Sequence, residues 1–559
     1  MKIKDYLSNA YERRDHSQIL FYDIDYEIDP YRRIFRSTQK ITLKHQSDEP
    51  LESIEGILER HLVIDSISVK DKRNNRTVES SWEKISFEDN FEVRPNIEGI
   101  CLQLIIIRLQ GIVETEMEIE LEISFHLPER QMQEERQGNM WTLFCNSNIC
   151  YSVEPYSGHY FCIIPARIAA PFEINIKYPE KFKSCLPGNL VSSKKINGHI
   201  VEHYSCQDPN VPVFAVGEYK RFVKEKGGYG IEISLYPHLE IDENLFDYLF
   251  KIVELYVDVF GPVNTKIYRL GTVGEYNTSQ RGGENKGNAV YFTDLSIKQL
   301  MEDSSLQTNF LSMMAHEIYH NWNLFSLNFT GELAEFFGEG GANFIASWAL
   351  EKILGEEASI PIRKGYAEAY VATKGFNSKS PLLGASKIMG AETRSLIYNY
   401  GAFVWEQLRQ KIGEEALISG LANFYRDFKY KSCTHEELFD YIQNETDVKI
   451  KEYMNQWISL VPKIDLLLKN VESVKEEEVF RTKMEIEVES EEDYELYSEI
   501  GYKTEENSEL QLIHIQLEKK GAHTVFFKSE QKPIFIQIDP GFRIPQIRLD
   551  NCEWVINTY

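Results

Sequence analysis

At 559 residues and 65.2 kDa the chain exceeds what one hydrophobic core can organise, and about three or four domains are expected. Its 42% hydrophobic and 12% aromatic content is that of a well-packed soluble protein, while 61 Lys and Arg against 87 Asp and Glu leave a net charge of -26. That charge repels phosphate backbones and anionic lipid, so neither nucleic acid nor a membrane is an expected partner.

The first residues, "MKIKDYLSNAYERRDHSQIL", lack the apolar run of a secretory signal, and no stretch approaches the roughly 20 apolar residues of a spanning helix. Eight cysteines form no CxxC pair. Free thiols and a cytoplasmic location are the expectation.

"FYDIDYEIDP" alternates strictly, with Tyr22, Ile24, Tyr26 and Ile28 on one face and Asp23, Asp25, Glu27 and Asp29 on the other. That is a half-buried strand whose acidic row faces solvent. "EMEIELEISF" and "PFEINIKYP" repeat the pattern, so residues 1–222 are expected to form an N-terminal antiparallel β-domain. The rhythm changes near residue 241, where "DENLFDYLFKIVELYVDVFGP" has helical spacing and is stopped by Gly261 and Pro262. Helical patterns recur at 305–323, 332–354, 394–411, 414–428 and 434–458, with strands and loops between 266 and 294. Residues 223–465 thus read as an α+β unit. Alternation returns in "KMEIEVES", "IHIQL" and "KPIFIQIDPG", which makes residues 466–559 a small C-terminal β-sandwich.

Chemistry concentrates in "MMAHEIYHNWNLFSL". On an α-helix His316 and His320 lie about 40° apart in azimuth, with Glu317 inside the same arc of about 100°. Two imidazoles one turn apart can share a zinc ion, and the glutamate between them can take a proton from water that the metal acidifies. A catalytic zinc needs a third protein ligand. The metzincin pattern is excluded, because Asn323 and Ser326 stand where Gly and His would be required. "GELAEFFGEGGANF" offers Glu332, Glu335 and Glu339 instead.

With these residues the chain resembles the gluzincin zinc aminopeptidases, the family of aminopeptidase N and the leukotriene hydrolase. Their motif is HExxH, 18 intervening residues and a glutamate; here residues 321–338 separate His320 from Glu339, and "GEGGA" follows. The resemblance implies one zinc ion per chain, held by His316, His320 and Glu339, with Glu317 as catalytic base. It also implies an N-terminal β-saddle and a thermolysin-like catalytic domain. "RGGENKGNAVYF" is similar to the family's GxMEN loop, which implies that Glu284 binds the free α-amine of a peptide substrate while Gly282, Gly283 and Asn285 line its path. Arg281 and Gly283 depart from the usual Gly and Met there. "IYNYGAFVWEQLRQKIGEEAL" resembles the segment carrying the oxyanion-stabilising tyrosine; register against Gly401 points to Tyr398, with Tyr400 as the rival.

The resemblance covers roughly residues 15–465 and implies hydrolysis of the first peptide bond of peptides with a free N-terminus. Two departures bear on this expectation. The sequence ends at Tyr559 without room for the large helical domain that often closes the family's cleft, which leaves endoproteolysis or a dedicated peptide-maturation step as alternatives. "HNWN" is similar to the glycyl aminopeptidases, whose motif continues HxWN. An inactive peptide-binding scaffold would be expected to have lost polar site residues, and all are present.

Overall fold

The computed structural model describes all residues except 1, 4–5, 7–15, 89–101, 129–142, 154–161, 164–168, 275–282, 303–306, 378–380, 384–390, 447, 550–552 and 556–559. They fall into two compact units, Met1–Val253 with Pro262–Asn321, and Glu254–Gly261 with Trp322–Tyr559.

The first unit opens with β1 (Ser17–Asp29) and β2 (Ile34–His45), antiparallel neighbours in an eight-stranded sheet. Tyr22, Ile24, Tyr26 and Ile28 are buried and the intervening acids are not, as the alternation requires. One pairing is unlike the rest. β3 (Ala170–Pro179) runs parallel to β1, with Tyr22 opposite Phe172. Alternation specifies which face of a strand is buried and is silent on its neighbour, and a parallel neighbour needs a long crossover.

A mixed five-stranded sheet follows. In spatial order it contains β4 (Lys220–Lys226), β5 (Tyr229–Leu235), β6 (Ile267–Val273), β8 (Ala289–Thr293) and, at the edge, β7 (Gly283–Lys286). The chain crosses from β5 to its parallel neighbour β6 through helix α1 (Asn244–Phe260), which ends where Gly261 adopts a φ of 86°. Edge strand β7 is antiparallel to β8 and reaches it through Gly287 and Asn288. Its position is anchored, since the Asn210 amide donates to the Lys286 carbonyl at 3.1 Å and a Cβ on Gly287 would collide with that amide. Helix α2 (Gln307–Asn323) then carries the two histidines.

In the second unit the Trp322 indole packs on Tyr256 and Phe260 and donates to the Gly261 carbonyl at 2.9 Å. Of the helices expected here, 414–428 appears as Glu414–Phe428, while 434–458 divides into His435–Asn444 and Ile450–Ile458. Both the 332–354 and 394–411 patterns are interrupted by π-turns. Phe336–Gly340 leads into α3 (Gly341–Leu354), and Leu396–Tyr400 leads into α5 (Gly401–Ile412). Helix α4 (Glu356–Ala372) was not expected, because Pro361 and Gly365 both disfavour a helix interior. Packing overrides them: Ile362 and Tyr370 are buried, and Arg363 donates to the Gly541 carbonyl at 2.6 Å.

The C-terminal strands form a three-stranded and a four-stranded sheet, where a small sandwich was expected. They are tied to the helices by buried charge. Arg543 pairs with Glu406 at 2.5 Å, with Glu499 at 3.0 Å and with Glu356, and Arg409 bridges Glu406 and Glu351. Burial disfavours ionised Glu406, but Arg409, Arg543 and Arg363 overrule it and hold the carboxyl far below its ordinary range. All six cysteines among the described residues are free thiols. No described helix is long and apolar enough to cross a membrane.

Candidate active site

Helix α2 presents His316, Glu317 and His320 together, all of them buried. The two Nε2 atoms stand 3.1 Å apart and the rings are nearly perpendicular, at 87°. One ligand atom from each of the three side chains lies within 4.8 Å of the others. This arrangement can be tested against a tetrahedral ion. Two nitrogens each about 2.0–2.1 Å from zinc subtend a separation of about 3.3–3.4 Å. The observed spacing is within a few tenths of an ångström of that value, so the donor pair fits zinc.

Edge strand β7 brings the amine-reading candidate into the same unit. A Cβ on Gly283 would stand 2.9 Å from Glu317 Oε1 and 3.2 Å from Glu317 Cγ, so the strand backbone lies against the candidate base. A side chain at 283 would therefore press on the candidate base. Glu284 carries its carboxylate one residue on, and Lys286 Nζ donates to its Oε2 at 3.0 Å. Asn285 faces the other way. It is buried, and its amide has no hydrogen-bond partner among the described residues. Gly282 and Arg281 lie outside the described residues.

Glu339 and Tyr398 belong to the second unit, and each sits inside one of the π-turns. A π-turn admits an extra residue per turn and breaks the α-helical pairing of nearby carbonyls. Two asparagines repair the loss. The Asn323 amide, at the end of α2, donates to the carbonyls of Phe337 at 3.0 Å and Gly338 at 2.7 Å, directly before Glu339. Asn343 on α3 donates to the Tyr398 carbonyl at 3.0 Å. The two turns also touch backbone to backbone, since a Cβ on Gly340 would lie 2.8 Å from the Ile397 carbonyl oxygen and 3.0 Å from Gly401 Cα. Glu339 and Tyr398 are both half-buried. Tyr400 is instead a core residue whose hydroxyl donates to the Trp457 carbonyl at 2.7 Å; burial raises its pKa well above the ordinary value. Of the other two carboxylates, Glu332 is half-buried and Glu335 exposed.

Asn323, Asn343 and Lys286 were not singled out as site residues by the sequence. A signal existed for the first two, because Asn is a poor helix former that hydrogen-bonds backbone, and both fall among apolar residues at helical spacing.

Residues 249–457 match the Peptidase family M1 domain. Aminopeptidase N of Lactococcus lactis subsp. lactis (strain IL1403) is 21% identical over 304 residues, which cover 52% of this chain and 35% of that protein. Aminopeptidase M1-B of Oryza sativa subsp. japonica is 24% identical over 308 residues, 52% of this chain and 34% of its own length. The chain thus matches about a third of the length of these curated relatives. Among solved structures, aminopeptidase A of Legionella pneumophila, determined with aspartic acid, superimposes with a TM-score of 0.64 at 14% identity, covering 95% of this chain and 59% of that one. A mutant M1 zinc metallopeptidase from Deinococcus radiodurans gives 0.58 at 14% identity, covering 79% and 94%. These two likenesses establish a shared fold. The resemblance to the gluzincin aminopeptidases is borne out by these matches, the M1 domain match lying over residues 249–457.

Proposed function

We propose that this protein is a zinc aminopeptidase that removes the first residue from peptides with a free N-terminus. The observation that carries the reading is the pair of imidazole nitrogens 3.1 Å apart with the Glu317 carboxylate beside them, within an M1 domain. His316 and His320 would hold one zinc ion per chain together with Glu339, whose role rests on its 18-residue spacing and its place in an Asn323-supported turn. When bound, zinc acidifies a water molecule and polarises the scissile carbonyl. Glu317 takes the proton of the attacking water and returns it to the leaving amine. Tyr398 donates to the oxyanion, a role that the core position of Tyr400 leaves to it. Glu284 pairs with the α-ammonium, and the backbone of Gly282, Gly283 and Asn285 would line the peptide's path, with the Asn285 side chain turned away from it. The six buried free thiols favour the cytoplasm.

Glu317→Gln tests the mechanism. It keeps a neutral isostere in place, so hydrolysis of aminoacyl amides should cease while metal analysis still finds close to one zinc per chain. Turnover at the wild-type rate would refute it.

A second reading is favoured by one contact. Glu284 already has a cation at 3.0 Å, which suits an enzyme less dependent on a free amine, such as an endopeptidase or maturation protease. N-acetylated and free peptides cleaved at equal rates would establish that alternative.

A further inference from the structure

We propose that Lys286 is a specificity-determining residue: as a built-in counter-cation of Glu284 it competes with the substrate's α-ammonium and lowers the enzyme's demand for a free N-terminus. This rests on Glu284 being the amine-binding group.

Residues 284 and 286 are two apart on one strand and so share a face. Lys286 Nζ lies 3.0 Å from Glu284 Oε2; the lysine side chain is 9% exposed and the glutamate side chain 26%. An ammonium so poorly hydrated needs a local anion, and Glu284 supplies one. The pair cannot drift apart with the loop, because the Lys286 carbonyl is held by the Asn210 amide and the next residue is a glycine pressed against that amide.

An arriving α-ammonium then meets a carboxylate whose charge is already partly matched. It must displace Lys286 Nζ from Oε2, or bind the other oxygen with a second ammonium nearby. The first course costs a poorly hydrated ammonium its bonded carboxylate, and the second sets like charges side by side. Either weakens ground-state binding of a free N-terminus, while an acetylated N-terminus, which carries no charge, escapes the penalty.

The test compares KM and kcat for the best-cleaved aminoacyl fluorogenic amide and for its N-acetyl form. It uses wild type, Lys286→Met, Lys286→Gln, Lys286→Arg and Glu284→Gln. With the competing cation gone, Lys286→Met should lower KM for the free-amine substrate about 10-fold and change kcat little, so that selectivity over the acetylated substrate rises about 10-fold. Lys286→Gln should behave alike, and it serves if the methionine variant does not fold. Lys286→Arg should resemble wild type. A KM that is unchanged or raised in the neutral variants overturns the inference. Glu284→Gln separates the two levels of the argument. If it raises KM for the free amine while the Lys286 variants do not lower it, only the role of Lys286 fails; if it leaves KM unchanged, the amine-binding role of Glu284 fails first.

Discussion

Replacing Gly283 with alanine should displace and impair the base without unfolding the protein. An ideal Cβ at this position stands 2.9 Å from Glu317 Oε1, 3.2 Å from Glu317 Cγ and 3.2 Å from Met313 Cγ. Carbon contacts are comfortable at about 3.5 Å or more, so the glutamate must retreat by roughly 0.5 Å. A displacement of about 1 Å in a catalytic constellation costs on the order of 100-fold, and half that distance scales to a fall of about 10-fold in kcat, or about 1.4 kcal/mol. Stability should fall by about 0–2.5 kcal/mol. Alanine recovers about 0.5–1 kcal/mol of backbone entropy, against about 1–3 kcal/mol for the tighter packing. The three nearest atoms do not include either imidazole, so zinc content should remain near one per chain. Steady-state kinetics, metal analysis and a thermal melt on one preparation decide the matter. Gly365→Ala is the control, since a Cβ there meets nothing within 4 Å. The placement of β7 against Glu317 is refuted if Gly283→Ala keeps kcat within twofold of wild type, or if zinc is lost in step with activity.

Three further outcomes are expected. Asn323→Leu orphans the carbonyls of Phe337 and Gly338, at a cost of about 1–3 kcal/mol each, and should weaken zinc retention about 10- to 100-fold in a chelator competition; unchanged retention would separate the turn from the metal. Tyr398→Phe should lower kcat about 100- to 1,000-fold with zinc retained and the melting temperature nearly unchanged, and a fall of less than threefold would remove the hydroxyl from the mechanism. Glu406→Gln leaves Arg409 and Arg543 short of a buried anion and should cost about 3–5 kcal/mol at pH 7. Because folding depresses the Glu406 pKa, its stabilisation is full above the ordinary value of 4.5 and is lost as pH falls toward the lower folded value. The gap between wild type and variant should therefore narrow by about 1.4 kcal/mol per pH unit below that point, and a gap that stays constant down to pH 3 would contradict the ion network.

Much of this molecule is written in short-range pattern. The burial of Tyr22, Ile24, Tyr26 and Ile28 follows from period-two alternation, and the convergence of His316, Glu317 and His320 follows from the pitch of one helix, because both are properties of a single element. The Glu284–Lys286 pair was equally local, two residues apart on a strand, and went unread because the lysine's burial depends on what covers the strand.

Distant packing decided the rest. No local pattern distinguishes a regular helix from one that bulges at Phe336–Gly340 or Leu396–Tyr400; the bulges persist because Asn323 and Asn343 satisfy their carbonyls and because Gly340 and Gly401 let the two backbones touch. In the same way, a parallel partner for β1 and a helix through Pro361 depend on contacts with residues remote in the chain. The order of residues settles which groups share a face of one element. Which elements then meet, and which backbone groups they satisfy, is a matter of three-dimensional packing among segments far apart in sequence.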